Sequence, residues 1–477
     1  MPSGVRRPAF MAQADGPGFV RIFGFVALHL ALALVMKRVH PVAGIHALGT
    51  FIYGLWLCCG RNRPLPLAQW AGYTAGAEAL WRMCGAYIPW EFAELSISLI
   101  CLISLVRAGN FGEFWLPLLY LVLLAPASFL TFLLLPFGEA RSQVSFYISP
   151  AAALALCAMR FSRLRLTPAG LQRIGVAVIA PIAGMGAVAL SRIATTEAQF
   201  GNSSNVVASG GYGPNQVSAM LSLGALLVVF LYLGVNRSLW MRGGFVVLGL
   251  WLQAQSAMTF SRTGLYLFGA AFVVATPFLV QAKGKALRFL LLLIFLIATT
   301  CAIAPMLDSF TGGQLIHRFE DSDLTGRDTI AEAELRMWLQ KPVLGNGVGM
   351  SMYNRSAMTH AEAPAAHTEY TRLLAEHGLL GAAAMAILLV MTAQAFLKAP
   401  GPWAKAVVAA LAVWSFLFMA VASMRLVAPA FLLGLVHARF GADHPTAITG
   451  MVKARPVKPP AWQRTFPRTT GAGNPQR

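Results

Sequence analysis

The chain has 477 residues, of which 57% are hydrophobic and only 12% charged. Soluble domains carry roughly 25% charged residues, so this composition excludes a soluble globular protein and points to repeated membrane crossing. The net charge of +19 raises nucleic acid as a partner, but the placement of the basic residues excludes it. They collect in the loops that would share one side of a bilayer, as topological signals do.

About 20 apolar residues cross a bilayer as a helix. The first long apolar run, 19–36, lacks a small-residue cleavage site and is followed by Lys37-Arg38, so it reads as a retained span rather than a signal peptide. Further runs fall near 43–60, 65–88, 92–107, 114–137, 144–159 and 170–190, then 216–235, 243–260, 263–281 and 287–306. The last three lie near 378–398, 403–423 and 425–438. The span at 65–88 carries Glu78 and Arg82, four apart on one helix face and expected to pair. That segment could be re-entrant, so the fold class is all-α, a polytopic membrane protein of 12–14 transmembrane helices. Trp81, Tyr87 and Trp90 read as an interfacial aromatic belt.

With both termini in the cytoplasm, most lysines and arginines fall on that side, among them Arg160, Arg163, Arg165, Arg173, Lys283, Lys285, Arg288 and Lys398. Only Asp15, Glu113 and Asp443 are acids there. The six cysteines, Cys58, Cys59, Cys84, Cys101, Cys157 and Cys301, all lie in apolar runs and form no disulfide or zinc pattern.

The opposite face receives the stretches that could carry chemistry. Arg192 emerges at a membrane edge, either to snorkel or to hold an anion. A loop rich in Gly, Asn and Ser follows, running through Ser209-Gly-Gly-Tyr-Gly-Pro-Asn-Gln216, with backbone suited to lie close to a ligand. Thr259-Phe-Ser-Arg262-Thr-Gly264 makes a tight turn that leaves Arg262 at the boundary. The large loop 307–377 has capping-box spacing at Thr325-Gly-Arg-Asp328 before an amphipathic helix at 330–341 carrying Leu335, Trp338 and Leu339, with Pro342 ending it. Gly345-Asn-Gly-Val-Gly349 lacks the strand and Lys-Ser/Thr of a phosphate loop and reads as a backbone turn. Glu320-Asp-Ser-Asp323 reads as a solvated acidic turn, and the spacing of His317, His360, His367 and His377 fits no zinc site, so no metal and no cofactor is expected. The loop closes with a short helix from His367, with Tyr370, Leu373 and Leu374 on one side and Gly378 placed to end it; His377 is placed to favour its C-terminus. Arg192 and Arg262, with Arg318, Arg327 or Arg336, could converge on a lipid-linked pyrophosphate at headgroup depth, where guanidinium forks match phosphate oxygens.

Ser261-Arg262-Thr-Gly264, Gly213-Pro-Asn-Gln216, Thr325-Gly-Arg327, Trp338, Pro342-Val-Leu-Gly345-Asn-Gly347 and His367 through Gly381 together resemble the O-antigen ligase and polysaccharide polymerase superfamily. The resemblance covers roughly 190–395. Its sharpest element is a histidine, a small polar residue, nine variable residues, Gly, two variable residues and Gly, here from His367 and Thr368 to Gly378 and Gly381. Thr368 stands where the family usually has Asn, Ser or Gln.

The resemblance implies a C-type glycosyltransferase-like fold with one large, mostly helical periplasmic loop. It implies an inverting, metal-independent transfer of a glycan from undecaprenyl pyrophosphate to an acceptor hydroxyl at the outer face of the bacterial inner membrane. His367 would be the general base, Arg192 and Arg262 would bind pyrophosphate, and Asn215 and Tyr370 would shape the pocket. The acceptor that fits best is lipid A–core, making an O-antigen ligase. A polymerase and a protein O-oligosaccharyltransferase are the alternatives within the superfamily, and a lipid-linked glycan flippase is the alternative outside enzymes. The expected organisation is a cytoplasmic N-terminus (1–18), a transmembrane bundle (19–306) with a short periplasmic loop (191–215), a periplasmic catalytic loop (307–377), C-terminal transmembrane helices (378–438) and a basic, disordered cytoplasmic tail (439–477).

Overall fold

The computed structural model describes residues 18–60, 63–109, 113–196, 200–201, 203–234, 239–320, 327–359 and 368–441. The chain folds first as α1 (Phe19–Arg38), α2 (His40–Cys59), α3 (Pro64–Met83), α4 (Phe92–Ala108), α5 (Trp115–Leu134) and α6 (Phe137–Phe161). After β1 (Arg165–Leu166) come α7 (Pro168–Thr195), α8 (Pro214–Gly234), α9 (Leu239–Met258), α10 (Arg262–Gln281) and α11 (Ala286–Phe310). The region expected as a large loop holds α12 (Gln314–Glu320), α13 (Arg327–Gln340) and α14 (Met350–Thr359). Then follow α15 (Glu369–Lys398), α16 (Gly401–Ala422), α17 (Ala428–Leu435) and β2 (Arg439–Phe440). Among the described residues, ten of these helices are long and apolar enough to cross a membrane. The protein is an all-α polytopic membrane protein.

Small residues set the helix packing, as they must where no hydrophobic effect draws helices together. A Cβ at Gly76 would lie 2.5 Å from the Val178 carbonyl, and one at Gly184 would lie 2.9 Å from Ala33 and 3.0 Å from the His29 carbonyl. These contacts lock α1 and α3 against α7. Gly72 meets Ile174 while Leu80 meets Gly184, so α3 and α7 run in the same direction, as the alternation of spans requires.

The bundle has two distinguishable ends. At one, the loop end, Lys37 bonds Met83 and Gly210, Asn205 bonds Thr259, and Thr131 bonds Val348. At the other, the strand end, β1 pairs in parallel with β2, and Lys398 pairs with Glu113. The segments expected outside gather at the loop end, and the basic loops at the strand end.

Several expectations change. The run at 425–438 becomes the eight-residue α17, too short to cross alone, and the segment expected as tail begins in β2. Trp81 is no belt residue: it is fully buried and donates to His46 at 2.9 Å, whereas Tyr87 and Trp90 are exposed. The amphipathic helix is present as α13, but its inward face is Ile330, Ala333, Glu334 and Met337, leaving Leu335 and Leu339 outside. Polar pairing of Glu334, described below, decides that orientation against the apolar stripe.

Candidate functional site

Residues 203–213 form a turn-rich strap across the loop end, between α7 and α8. The Asn205 side chain accepts the Ala208 N–H at 2.9 Å, its N–H donates to the Thr259 carbonyl at 2.8 Å, and Ser209 Oγ donates to its carbonyl at 2.7 Å. Gly210 and Gly211, at φ +70° and +87°, then let the strap turn back over the end of α1. There Lys37 Nζ donates to the carbonyls of Met83 (2.7 Å) and Gly210 (3.4 Å). Arg192, in the last turn of α7, lies beside Gly211 within electrostatic reach of Lys37, and its Nε is buried without a hydrogen-bond partner among the described residues. Neither cation forms an ion pair among the described residues. Two like charges held together without a carboxylate make a place where an anion would be stabilised.

The far end of the strap meets the turn between α9 and α10. Ser261 caps α10, its hydroxyl accepting the Thr263 N–H at 3.3 Å and donating to Asn215 Oδ1 at 2.7 Å. Thr263 Oγ1 reaches the same oxygen at 3.4 Å. Gly264 packs on Ser218, whose hydroxyl accepts its N–H at 3.0 Å. Arg262 is thus the first residue of a helix whose start is fixed on both sides, where the helix dipole adds positive potential. Arg318 on α12 comes in beneath, buried, with Nε donating to the Phe260 carbonyl at 3.3 Å. A groove of about 390 Å³ runs between α8, α9, α10 and α11, walled by residues such as Val228, Gly249, Phe268 and Leu296. It ends at Leu315, Phe319 and Glu320 on the arginine-bearing α12.

The third component is the start of α15. Thr368 caps it, accepting the Tyr370 N–H at 3.2 Å, and Gly378 breaks it at φ +59°, ψ −140°. The two halves fold against each other: a Cβ at Gly381 would lie 2.2 Å from the Leu373 carbonyl. The turn 342–347 clamps the break. Asn346 and Gly347 N–H groups donate to the Ala375 and Glu376 carbonyls (2.9 and 3.0 Å), and the Leu379 N–H donates to Pro342 (2.8 Å). The glycine turn at 345–349 therefore satisfies the end of the short helix, the backbone role expected of it.

Behind this junction lies a chain of buried charge. Arg372 holds Glu369 with two nitrogens and Glu376 with the third. Ser351 donates to Glu376 at 2.6 Å and accepts from Arg355, which pairs with Glu334, and Thr371 closes on Glu334. Burial pushes the Glu334 carboxyl up to about 7 despite the Thr371 hydroxyl and the Arg355 charge. A second cluster sits on α3 and α4: Arg82 pairs with Glu78, as expected, and reaches Tyr212 (3.0 Å), the Arg425 carbonyl (2.8 Å) and the Trp90 carbonyl (2.8 Å). The 423–427 turn joins the clusters, with Met424 N–H on Glu369 (3.4 Å) and Val427 N–H on Glu78 (2.7 Å). Through Tyr212 the same connection reaches the strap. Removing one partner from such a buried pair strands the other charge, at about 3–5 kcal/mol, so these groups fix the geometry.

The structure brings Asn215, at the start of α8, against the turn that opens α10 at Arg262, and puts Arg192 at the other flank of the same strap. Tyr370 sits half-buried on the short helix with its hydroxyl donating to the Phe416 carbonyl at 2.8 Å, tying that helix to α16. His367 lies outside the described residues, next to the cap Thr368; the side chain of Arg327 and the residues Thr325, Asp321, Asp323 and His360 lie outside them too. Arg336 pairs with Glu332 at 2.6 Å on the exposed face of α13, apart from this assembly. His377 stands at the end of the short helix, but it is fully buried with neither ring nitrogen bonded among the described residues, so it does not make the helix-end contact expected of it. Sequence reasoning missed Lys37, read only as a topological signal, and Arg372, whose position inside the histidine motif was the available clue.

Residues 256–386 match the family model described as O-antigen ligase. No curated protein is similar enough to match the chain. The matched region contains the Arg262 turn, the 342–349 clamp and the broken helix at Gly378, and the match supports the resemblance to the O-antigen ligase and polysaccharide polymerase superfamily.

Proposed function

We propose that this protein is a glycosyltransferase of the O-antigen ligase type that moves a glycan from undecaprenyl pyrophosphate to a hydroxyl of lipid A–core. The loop end would face the periplasm and the strand end the cytoplasm of a bacterial inner membrane. The observation that carries the reading is the apolar groove ending at the helix that bears Arg318, beneath the Arg262 turn. A donor with a long prenyl tail and a pyrophosphate head needs that sequence of surroundings along the membrane normal.

In this reading the tail lies between α8 and α11, and Arg262 and Arg318 take the pyrophosphate. Lys37 and Arg192 meet its distal charge across the strap. Asn215 fixes the start of α10, and Tyr370 fixes the short helix that His367 precedes in the sequence. His367 removes the acceptor hydroxyl's proton as the oxygen attacks the anomeric carbon from the face opposite the leaving group. The carbon–oxygen bond to phosphate breaks, the configuration inverts, and undecaprenyl pyrophosphate leaves with its charge stabilised by the guanidinium groups. The arginines supply the positive charge that a metal would otherwise bring.

The test is transfer in a reconstituted system with purified lipid-linked donor, offered lipid A–core, no second acceptor, or a carrier protein. His367→Ala is expected to lower transfer by ~10²–10⁴-fold with donor binding kept, and Arg262→Ala to lose donor binding. Normal transfer by His367→Ala removes the base assignment. Lengthened donor glycan without lipid A–core makes the protein a polymerase, product on the carrier a protein glycosyltransferase, and translocation without any transfer a flippase.

A further inference from the structure

A second cavity lies at the strand end, across the whole bundle from the arginine turn. It encloses about 500 Å³ between the start of α5, the ends of α6 and α15, and the α17–β2 segment. Trp115, Leu116 and Met391 contribute apolar wall, while Lys398, His437 and Arg439 bring nitrogen. Glu113 is the acid among the lining residues. Its carboxyl is held below the usual range by the hydrogen bond from Lys398 first, with the charges of Lys398 and Arg439 adding to it. The Lys398 bond is 2.9 Å and its side chain stays 60% exposed, so that ion pair is an open one at the rim. His437 Nε2 is buried and has no hydrogen-bond partner among the described residues. Arg165 stands opposite Arg439 in the parallel strand pair, adding a further cation beside the cavity. Trp115, 72% exposed at the first turn of α5, sits where an indole marks the membrane–water boundary.

We infer that this cavity is a binding site for the phosphate headgroup of an anionic phospholipid from the leaflet opposite the arginine turn. Cations at headgroup depth above an apolar wall between helices are the chemistry such headgroups select. The following segment of the chain, 442–477, is a poor competitor by charge, because it carries Lys453, Arg455, Lys458, Arg464, Arg468 and Arg477 against the single acid Asp443. The inference does not depend on which glycan reaction the loop end performs.

Native mass spectrometry of the full-length protein, released from detergent after incubation with phosphatidylglycerol, phosphatidylcholine or inorganic phosphate, reads the site directly. The wild type is expected to retain one phosphatidylglycerol in preference to phosphatidylcholine. The Lys398→Ala, Arg439→Ala double variant should weaken that retention about thirtyfold, at roughly 1 kcal/mol per cation. Leu116→Trp, which fills the cavity and leaves every charge in place, should also lose the lipid, and Lys283→Ala, a basic residue of the same end outside the cavity, should keep it. Equal retention of the two lipids overturns the site. So does an effect of Lys283→Ala as large as that of the double variant, or retention by Leu116→Trp. Full competition by inorganic phosphate at concentrations that leave phosphatidylcholine unaffected, with no lipid preference, assigns the cavity to free phosphate and overturns the lipid reading.

Discussion

Glu334 is completely buried, yet it belongs to a helix that the sequence presents as surface. Its carboxyl, at about 7, keeps a proton that the unfolded chain has given up well below that pH. Stability contributed by that proton is complete below the unfolded value near 4.5 and is lost as the pH rises through about 7. Thermal unfolding in detergent should therefore show the wild type losing up to about 3 kcal/mol relative to Glu334→Gln across this window, since the amide cannot titrate. A constant difference between the two proteins from pH 4 to 8 would contradict the assignment. The reason Glu334 escaped the sequence reading is physical. A period-3.6 pattern weighs apolar residues, whereas α13 is seated by one carboxylate meeting Arg355 and Thr371 from two other helices. Arg192, Arg262 and Asn215 fall at helix ends, as the turn and cap residues around them in the sequence predict.

Among the elements, the broken helix α15 was the most legible, because its glycines mark the places where backbones touch. A Cβ at Gly378 would lie 2.5 Å from the carbonyls of Pro342 and Val343, and one at Gly345 would lie 2.3 Å from Glu376 backbone. Gly284 offers a matched comparison: φ is +72° there, with nothing within 4 Å. Gly284→Ala should cost about 1 kcal/mol from backbone strain alone. Gly378→Ala should cost several times that, since the clamp must open to admit the methyl group. Equal falls in thermal stability would mean that the break is a flexible bend and not a packed junction. What the sequence hid was the partner of the break. Residues 342–349 lie a full helix away in the chain, and only folding reveals that their N–H groups cap Ala375 and Glu376.

At the scale of the molecule, the alternation of apolar runs and basic loops was enough to sort segments between two ends. The parallel pairing of α3 with α7 agrees with that alternation. Sequence did not reveal that α17 is short, because a buried eight-residue helix and a crossing run have the same composition. The sidedness is checked with a cysteine-free background carrying either Ser203→Cys or Lys283→Cys, both at exposed positions. A membrane-impermeant thiol reagent on intact cells should label only position 203; labelling of both, or of 283 alone, would reverse or break the topology. α11 belongs to this scale as well. Only Phe289 and Leu292 of its 25 residues are fully buried, so much of its surface is left to lipid. A helix so placed takes its tilt from the thickness of the surrounding hydrocarbon more than from its neighbours. One wall of the groove between α8 and α11 is therefore carried by a helix that the bilayer positions, and the groove's width should follow the length of the acyl chains around it.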